Sequence, residues 1–282
     1  MNARGNAGCV ALALCAFLPL LASPAFAGPA SNFTDIRQVV AAGTLRVGLV
    51  AAEIPPLLVT GPDGRPAGIE VAMAVGLASR LGVEPAFVRT AATHDELVAQ
   101  VAAGSVDIAI SSISRTSARA LSVRFTRPYL TQSMAVLLNR KRAVRESVSC
   151  PKAPADVAAL AAKPRTVGVR RGSVYELSLR GLAEKPALEL FEDGQKFIAD
   201  VEAGKLLAGL DGEVAARQLL AARPATRINV KLCLVGRQKD HIAIAVRPDA
   251  PNLVNWIDAV MDNTGFVLDP RGIFELAADW RF

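Results

Sequence analysis

Residues 105–129 read SVDIAISSISRTSARALSVRFTRPY. SVDIAI (105–110), apolar from Ile108 to Ile110, reads as a strand. It ends in hydroxyl side chains, Ser111, Ser112, Ser114 and Thr116, and Arg119 closes the group. A guanidinium offers a planar fork that matches two oxygens of a carboxylate or phosphate. Serine and threonine add short hydrogen bonds without adding charge. The stretch therefore reads in one of two ways. It is an anion site at a strand end, or it is a loop whose Thr116 starts a short helix at TSARAL.

Outward from this stretch, strands and helices alternate. Upstream, TLRVGLV (44–50) and PAFVR (85–89) read as strands. GIEVAMAVGLASRLG (68–82) has apolar residues at helical spacing and stops at Gly82. THDELVAQVAAG (93–104) opens on Thr93 with Glu96 three residues on, a capping pair, and stops at Gly104. Downstream a second series follows. MAVLLNR, RTVGVR, ALELF, KLLAGL, RINVKLCLV and HIAIAVR read as strands. APADVAALAA, RGSVYELSLRGL, DGQKFIADVEAG and GEVAARQLLAA read as helices, and two further helices at 250–265 and 270–280 close the chain. Such alternation predicts parallel sheets covered on both faces, and two series predict two α/β lobes. Ligands of open α/β sheets sit beyond the carboxyl ends of the strands, where Ser111 to Ser114 fall.

The chain has 282 residues, 51% of them apolar, which is ample for a core and suggests one to two domains. MNARGNAG, the apolar CVALALCAFLPLLA and the small-residue SPAFA make residues 1–27 a secretory signal peptide cut after Ala27. The apolar run is short for a ~20-residue membrane span. A periplasmic mature chain is expected. The full chain's formal net charge of +6 counts lysines and arginines that are scattered and lack interleaved aromatics, which argues against a nucleic-acid groove. Cys150 and Cys233 remain after cleavage, and an oxidising compartment favours a bridge over two separate thiols. His94 and His241 are the only histidines. With the two cysteines they show no metal-ligand spacing, and no Gly-x-Ser-x-Gly turn is present. No catalytic residue, metal or other cofactor is expected.

The stretch resembles the amino-acid-binding receptors of periplasmic solute-binding protein family 3. In that family a strand ends in a serine-rich run, a Thr and an Arg follow, and then a Phe-Ser-x-Pro-Tyr segment; here SSISRTSAR and FTRPY keep the spacing. GTLRVG, GPDGRPAGIEVAMAVGLASRLGV, AAGSVDIAIS, GVRRGSVYE, LAGLDGEVAA and LVNWIDAVMDNTG complete an ordered set, with Trp280 near the end. The resemblance spans Ala42 to Trp280. It implies a periplasmic-binding-protein type II fold: two α/β lobes joined by a two-stranded hinge, with a ligand cleft between them. Lobe one would hold 28–133 plus 241–282, lobe two 134–240, with the crossings at SMAVLL and KDHIAI. The implied protein is a monomer that captures a small carboxylate-bearing ligand, typically an amino acid, and delivers it to an inner-membrane ABC permease. By the same resemblance Arg119 would clamp the α-carboxylate, assisted by the Ser114 hydroxyl. The Ser112 carbonyl would accept from an ammonium, and Gly172 and Ser173 would present amides at a helix N-terminus.

Two departures bear on the ligand. The family's lobe-two acid, which pairs with an ammonium, falls on Gly212, with Asp211 one residue earlier. A one-residue shift along a strand turns a side chain to the other face, but Gly212 permits a bend, so Asp211 either reaches the ligand or faces away. Glu213 reads as the start of the next helix. The early cleft loop, with Val50, Glu53, Ile54 and Leu57, lacks the family's aromatic sandwich, and Ile69 stands where a Phe is usual. Glu53 is either a replacement polar anchor or a solvated loop carboxylate. A sensor or accessory protein with the same clamp, or a lyase of the prephenate-dehydratase type, would fit the same fold.

Overall fold

The computed structural model describes residues 33–160, 165–181, 187–192 and 194–273. The expected leader and most of the expected helix over 270–280 lie outside them. The described residues build two five-stranded sheets. In the first, Glu84–Ala91, Thr44–Val50, Ile108–Ala109, Ala245–Val246 and Arg124–Phe125 lie in that order. In the second, the order is Val230–Ile242, Leu130–Asn139, Ala208–Gly212, Thr166–Arg170 and Ala187–Phe191.

Both sheets are mixed, where the alternation of elements predicts parallel ones. Thr44–Val50 runs parallel to both of its neighbours, but Ala245–Val246 runs against its neighbours. Leu130–Asn139 likewise runs antiparallel between Val230–Ile242 and Ala208–Gly212. The reason is the crossing. A chain that enters one lobe and returns must traverse the boundary in opposite directions, and the two passes pair with each other. Their register joins Leu130 to Ile242, Thr131 to His241, Gln132 to Asp240 and Ser133 to Lys239. The strands expected separately over 227–235 and 241–247 accordingly begin as one strand, Val230–Ile242, with an irregularity between Val235 and Lys239.

Each sheet carries its own core. Leu130 and Ile242 belong to the core of the first sheet, with Val47, Ile108 and Ile244. Four residues further on, Met134 belongs to the second. There Val136 and Leu138 face one layer with Val167 and Leu210, while Ala135 and Leu137 face the other with Phe197 and Ile198. Alternate side chains of a strand point to opposite faces, so a strand covered on both sides must be apolar throughout. That explains the run MAVLL. Cys150 and Cys233 form a disulfide with Cα atoms 5.5 Å apart. It ties the segment after the short helix Arg140–Arg145 to the edge strand of the second sheet.

The helix His94–Ala102 starts as its sequence predicts: the Glu96 N–H donates to the Thr93 hydroxyl at 3.2 Å. The helix Val174–Arg180 is capped in the same way by Ser173. Both starts point into the gap between the two sheets, as does the helix Glu213–Ala222.

Candidate ligand-binding site

A cleft opens between the two sheets. The serine stretch forms part of its wall, and both sequence readings hold there at different residues. Thr116 does start a helical turn: its hydroxyl accepts the Arg119 N–H at 3.2 Å, ahead of the 3₁₀ turn Arg119–Leu121. Ser111 is structural, its hydroxyl accepting the Val50 N–H at 3.1 Å. Ser112 has a φ of 51°, which an L-residue adopts only when its surroundings impose it. The buried Glu70 imposes it. Its Oε1 accepts from the Ser112 N–H at 2.7 Å and from the Ser112 hydroxyl at 3.1 Å, and also from the Tyr129 hydroxyl. Burial pushes the Glu70 carboxyl above its ordinary range despite these donors.

Arg119 is 7% exposed and faces the cleft. Its Nε and Nη2 donate to Oδ1 of Asp95 at 3.0 and 2.8 Å, and its Nη1 to the Ser114 carbonyl at 3.1 Å. A guanidinium has five N–H groups. These three bonds leave one on each terminal nitrogen, the pair that a carboxylate takes bidentately. Ser114 lies beside it in the cleft wall. Arg115 is exposed and turned from the cleft, with its N–H on the His241 carbonyl at 2.7 Å.

The facing wall is held largely by bonds within the chain. Asp211 reaches the cleft, but its Oδ2 takes Arg170 Nη2 at 2.7 Å and its Oδ1 takes the Gly212 N–H at 2.8 Å. Gly212 is small for a steric reason: a Cβ there would stand 2.6 Å from Nε2 of Gln132. Gln132 fills the space an acid at 212 would need, and its Oε1 accepts the Val214 N–H at 3.1 Å. The amides of Gly172 and Ser173 are engaged within the chain. Gly172 donates to Glu176 Oε2 at 2.7 Å and Ser173 to the Arg170 carbonyl at 3.3 Å. Of this pair, Ser173 remains part of the cleft wall. Glu213 does begin a helix, paired with Arg217. Ile54 and Leu57 line the cleft as aliphatic surface, and the exposed Glu53 accepts the Thr60 N–H at 2.9 Å within its own loop.

Nothing in the sequence marks His94, Tyr175 or Asp240 as cleft residues. His94 enters because the helix starting at Thr93 points inward. Its Nε2 donates to the Ser111 carbonyl at 2.9 Å. Burial first, then the charges of Arg119 and Arg170, lowers its pKa to about 4, so the ring is neutral. His241 lies elsewhere, with Nδ1 3.1 Å from the Thr131 hydroxyl. Asp240 accepts from the Tyr175 hydroxyl at 2.9 Å and from the Gln132 amide at 3.4 Å. The lobes touch beside the cleft. Gly172, with a φ of 68°, would bring a Cβ to 3.2 Å from that of Thr93. Val214, at the start of a second-lobe helix, packs into the first-lobe core. A second pocket shares Ile54, Arg170 and Ala215 with the cleft.

Two sheet-bearing lobes on a paired-strand crossing, with a cleft between them, define the type II periplasmic-binding-protein fold. More narrowly, the chain belongs to the bacterial extracellular solute-binding proteins, family 3, whose model matches residues 45–264. It is 28% identical over 237 residues to the L-cystine-binding protein TcyJ of Escherichia coli, covering 82% of each chain. The arginine-bound form of truncated ArgBP from T. maritima shares the fold at a TM-score of 0.64 and 24% identity, with 81% of this chain and 99% of that one covered. AbpA from Streptococcus pneumoniae, bound to L-arginine, does so at a TM-score of 0.67 and 22% identity, covering 86% and 97%. An ancestral amino acid-binding protein, a precursor of cyclohexadienyl dehydratase, matches at a TM-score of 0.67 and 24% identity, covering 85% and 97%.

Proposed function

We propose that this chain is an exported receptor that captures a small carboxylate-bearing ligand, an amino acid, between its lobes. It would then deliver that ligand to an inner-membrane ABC permease. One observation carries the reading: Arg119 is buried in the interlobe cleft and keeps one N–H on each terminal nitrogen beyond its own partners. A fixed cation of that kind selects a carboxylate once closure excludes water, because the planar fork meets two oxygens at once. Ser112, Ser114 and Ser173 line the remainder of the pocket with polar atoms, and Asp211 holds Arg170 in the facing wall. Membership in family 3 and the amino-acid ligands of the named relatives support the same reading. Lobe one would comprise 28–133 with 241–282, and lobe two 134–240, rocking about SMAVLL and KDHIAI. The test is calorimetric titration of the mature chain, 28–282, with the standard L-amino acids, L-cystine and simple mono- and dicarboxylates. At least one should bind with heat that saturates at one site. Silence across the whole panel would overturn the reading.

A further inference from the structure

Neighbouring strands pin the cleft wall of the first lobe on both sides of Ser112. Ahead of it, the Ile110 N–H donates to the Gly48 carbonyl at 3.2 Å, and the Ser111 hydroxyl accepts the Val50 N–H at 3.1 Å. Beyond it, the Ile113 carbonyl accepts the Ala243 N–H at 3.0 Å, and the Arg115 N–H donates to the His241 carbonyl at 2.7 Å. Ser112 lies between these anchors, lines the cleft and holds a φ of 51°. A residue other than glycine leaves that region unless something holds it there. Among the described residues, both donors of Ser112 go to one atom: the N–H and the hydroxyl meet Oε1 of Glu70 at 2.7 and 3.1 Å.

Glu70 is fully enclosed near the start of the helix Ile69–Leu81, and it ties together more than Ser112. Its N–H donates to the carbonyl of Leu57, a second residue of the cleft wall, at 3.0 Å. Its Oε1 also accepts from the Tyr129 hydroxyl, and the Tyr129 N–H donates to the Ile242 carbonyl at 3.0 Å, where the crossing strands begin. Its Oε2 is equally enclosed and has no partner among the described residues. A buried carboxyl with one oxygen unmet is costly, and an apolar side chain of similar size would fill the space without that cost. Stability alone therefore does not account for an acid here. What an acid does that a leucine cannot is accept both donors of Ser112. We propose that Glu70 is a positioning residue for ligand capture: from behind the cleft wall it holds Ser112 in the left-handed conformation and so sets the first-lobe surface against which a ligand is clamped. The inference rests on the receptor reading above and concerns how tightly the site binds, whatever the ligand's identity.

The experiment uses the freedom of glycine at positive φ. The probe is the tightest binder among the standard L-amino acids, L-cystine and simple mono- and dicarboxylates, titrated calorimetrically into the mature chain. With Ser112 in place, Glu70→Leu should weaken the probe at least about tenfold, because the serine relaxes out of the wall. In a Ser112→Gly background the residue adopts that φ unaided, so the same change should cost less than about threefold. A merely structural loss would lower affinity by the same factor in both backgrounds, which would overturn the inference. Unchanged affinity in Glu70→Leu with Ser112 intact would overturn it as well, while leaving the receptor standing. Should Glu70→Leu fail to fold, Glu70→Gln takes its place in both backgrounds, since the amide keeps the volume and is a weaker acceptor. A loss confined to the serine background supports the inference, and any other pattern overturns it. Hydrogen exchange gives a reading without ligand: the Ser112 amide should exchange slowly in wild type and faster in either Glu70 variant. Equal rates would mean that the carboxyl does not hold the loop. Silence of wild type towards the whole panel would remove the receptor reading and the inference together.

Discussion

At the residue scale, Arg119 carries the largest expectation. Removing it leaves a ligand carboxylate buried without its main partner, a loss of roughly 2–5 kcal/mol, or tens- to thousands-fold in affinity. Arg119→Lys should recover only part of this, because an ammonium lacks the planar fork and cannot also hold Asp95 and the Ser114 carbonyl. Arg115→Ala, on the exposed side of the same loop, should bind as wild type does. Calorimetry of the three variants against the best ligand decides the matter, and full affinity in Arg119→Ala would remove the carboxylate clamp. His94 gives a pH prediction. Its folded pKa lies near 4 against an ordinary 6.5, so the unfolded chain binds the proton first as pH falls. Stability is therefore whole above about pH 6.5 and lost progressively towards about pH 4, by up to roughly 3 kcal/mol at ~1.4 kcal/mol per unit. Nuclear magnetic resonance should find the His94 imidazole titrating near 4, and His94→Gln should flatten the fall in melting temperature across that window. Titration at the ordinary value would show that the ring is not enclosed. Arg119 stood out in the sequence because it closes a serine-rich strand end, and the family resemblance chose the anion reading over a helix start. His94 did not, since a histidine one position into a helix has no chemical signature until the helix is aimed.

At the element scale, local signals were read well where they act locally. Thr93 with Glu96 and Ser173 ahead of Val174 cap the helices they precede. The amides before Val174 show the limit of such reading. A helix start offers N–H groups, and here the side chain of Glu176 takes the one at Gly172. The Cys150–Cys233 bridge belongs to this scale as well. It closes an 83-residue separation and fastens the edge strand of the second sheet to the segment that follows Arg140–Arg145. Replacing both cysteines by alanine should cost about 2–5 kcal/mol, since the open chain regains the entropy the cross-link removes. Urea unfolding of the variant beside wild type, with and without reductant, should show an earlier midpoint for the variant and a reductant effect on wild type alone. Coincident midpoints would mean that the bridge contributes nothing to this lobe.

At the scale of the whole molecule, the two lobes meet through Gly172 against Thr93, through Val214 in the first core and through the paired strands at 130–133 and 239–242. A ligand that binds this arrangement better than a separated one shifts the population towards it by its difference in affinity. Small-angle scattering should therefore show a smaller radius of gyration with saturating ligand than without, while the secondary structure stays constant. An unchanged radius would count against closure about the crossing strands. Two lobes were legible from alternating strand and helix patterns, because period and capping are properties of neighbouring residues. The mixed sheets were not, because strand direction follows from how often the chain crosses between lobes. The proposed carboxylate half of the cleft lies in consecutive residues, Ser111 to Arg119, where spacing offered an anion site beside a plain helix start and the family resemblance favoured the first. The other half is assembled from Gln132, Tyr175, Asp211 and Asp240, which come from four separate elements and share a cleft only after folding. Whether an acid at one position is free or spent depends on which cation stands opposite it. For Asp211 that partner is Arg170, 41 residues away, and for Asp240 no described cation takes the place. Distance along the chain carries no information about such pairings; distance in space decides them.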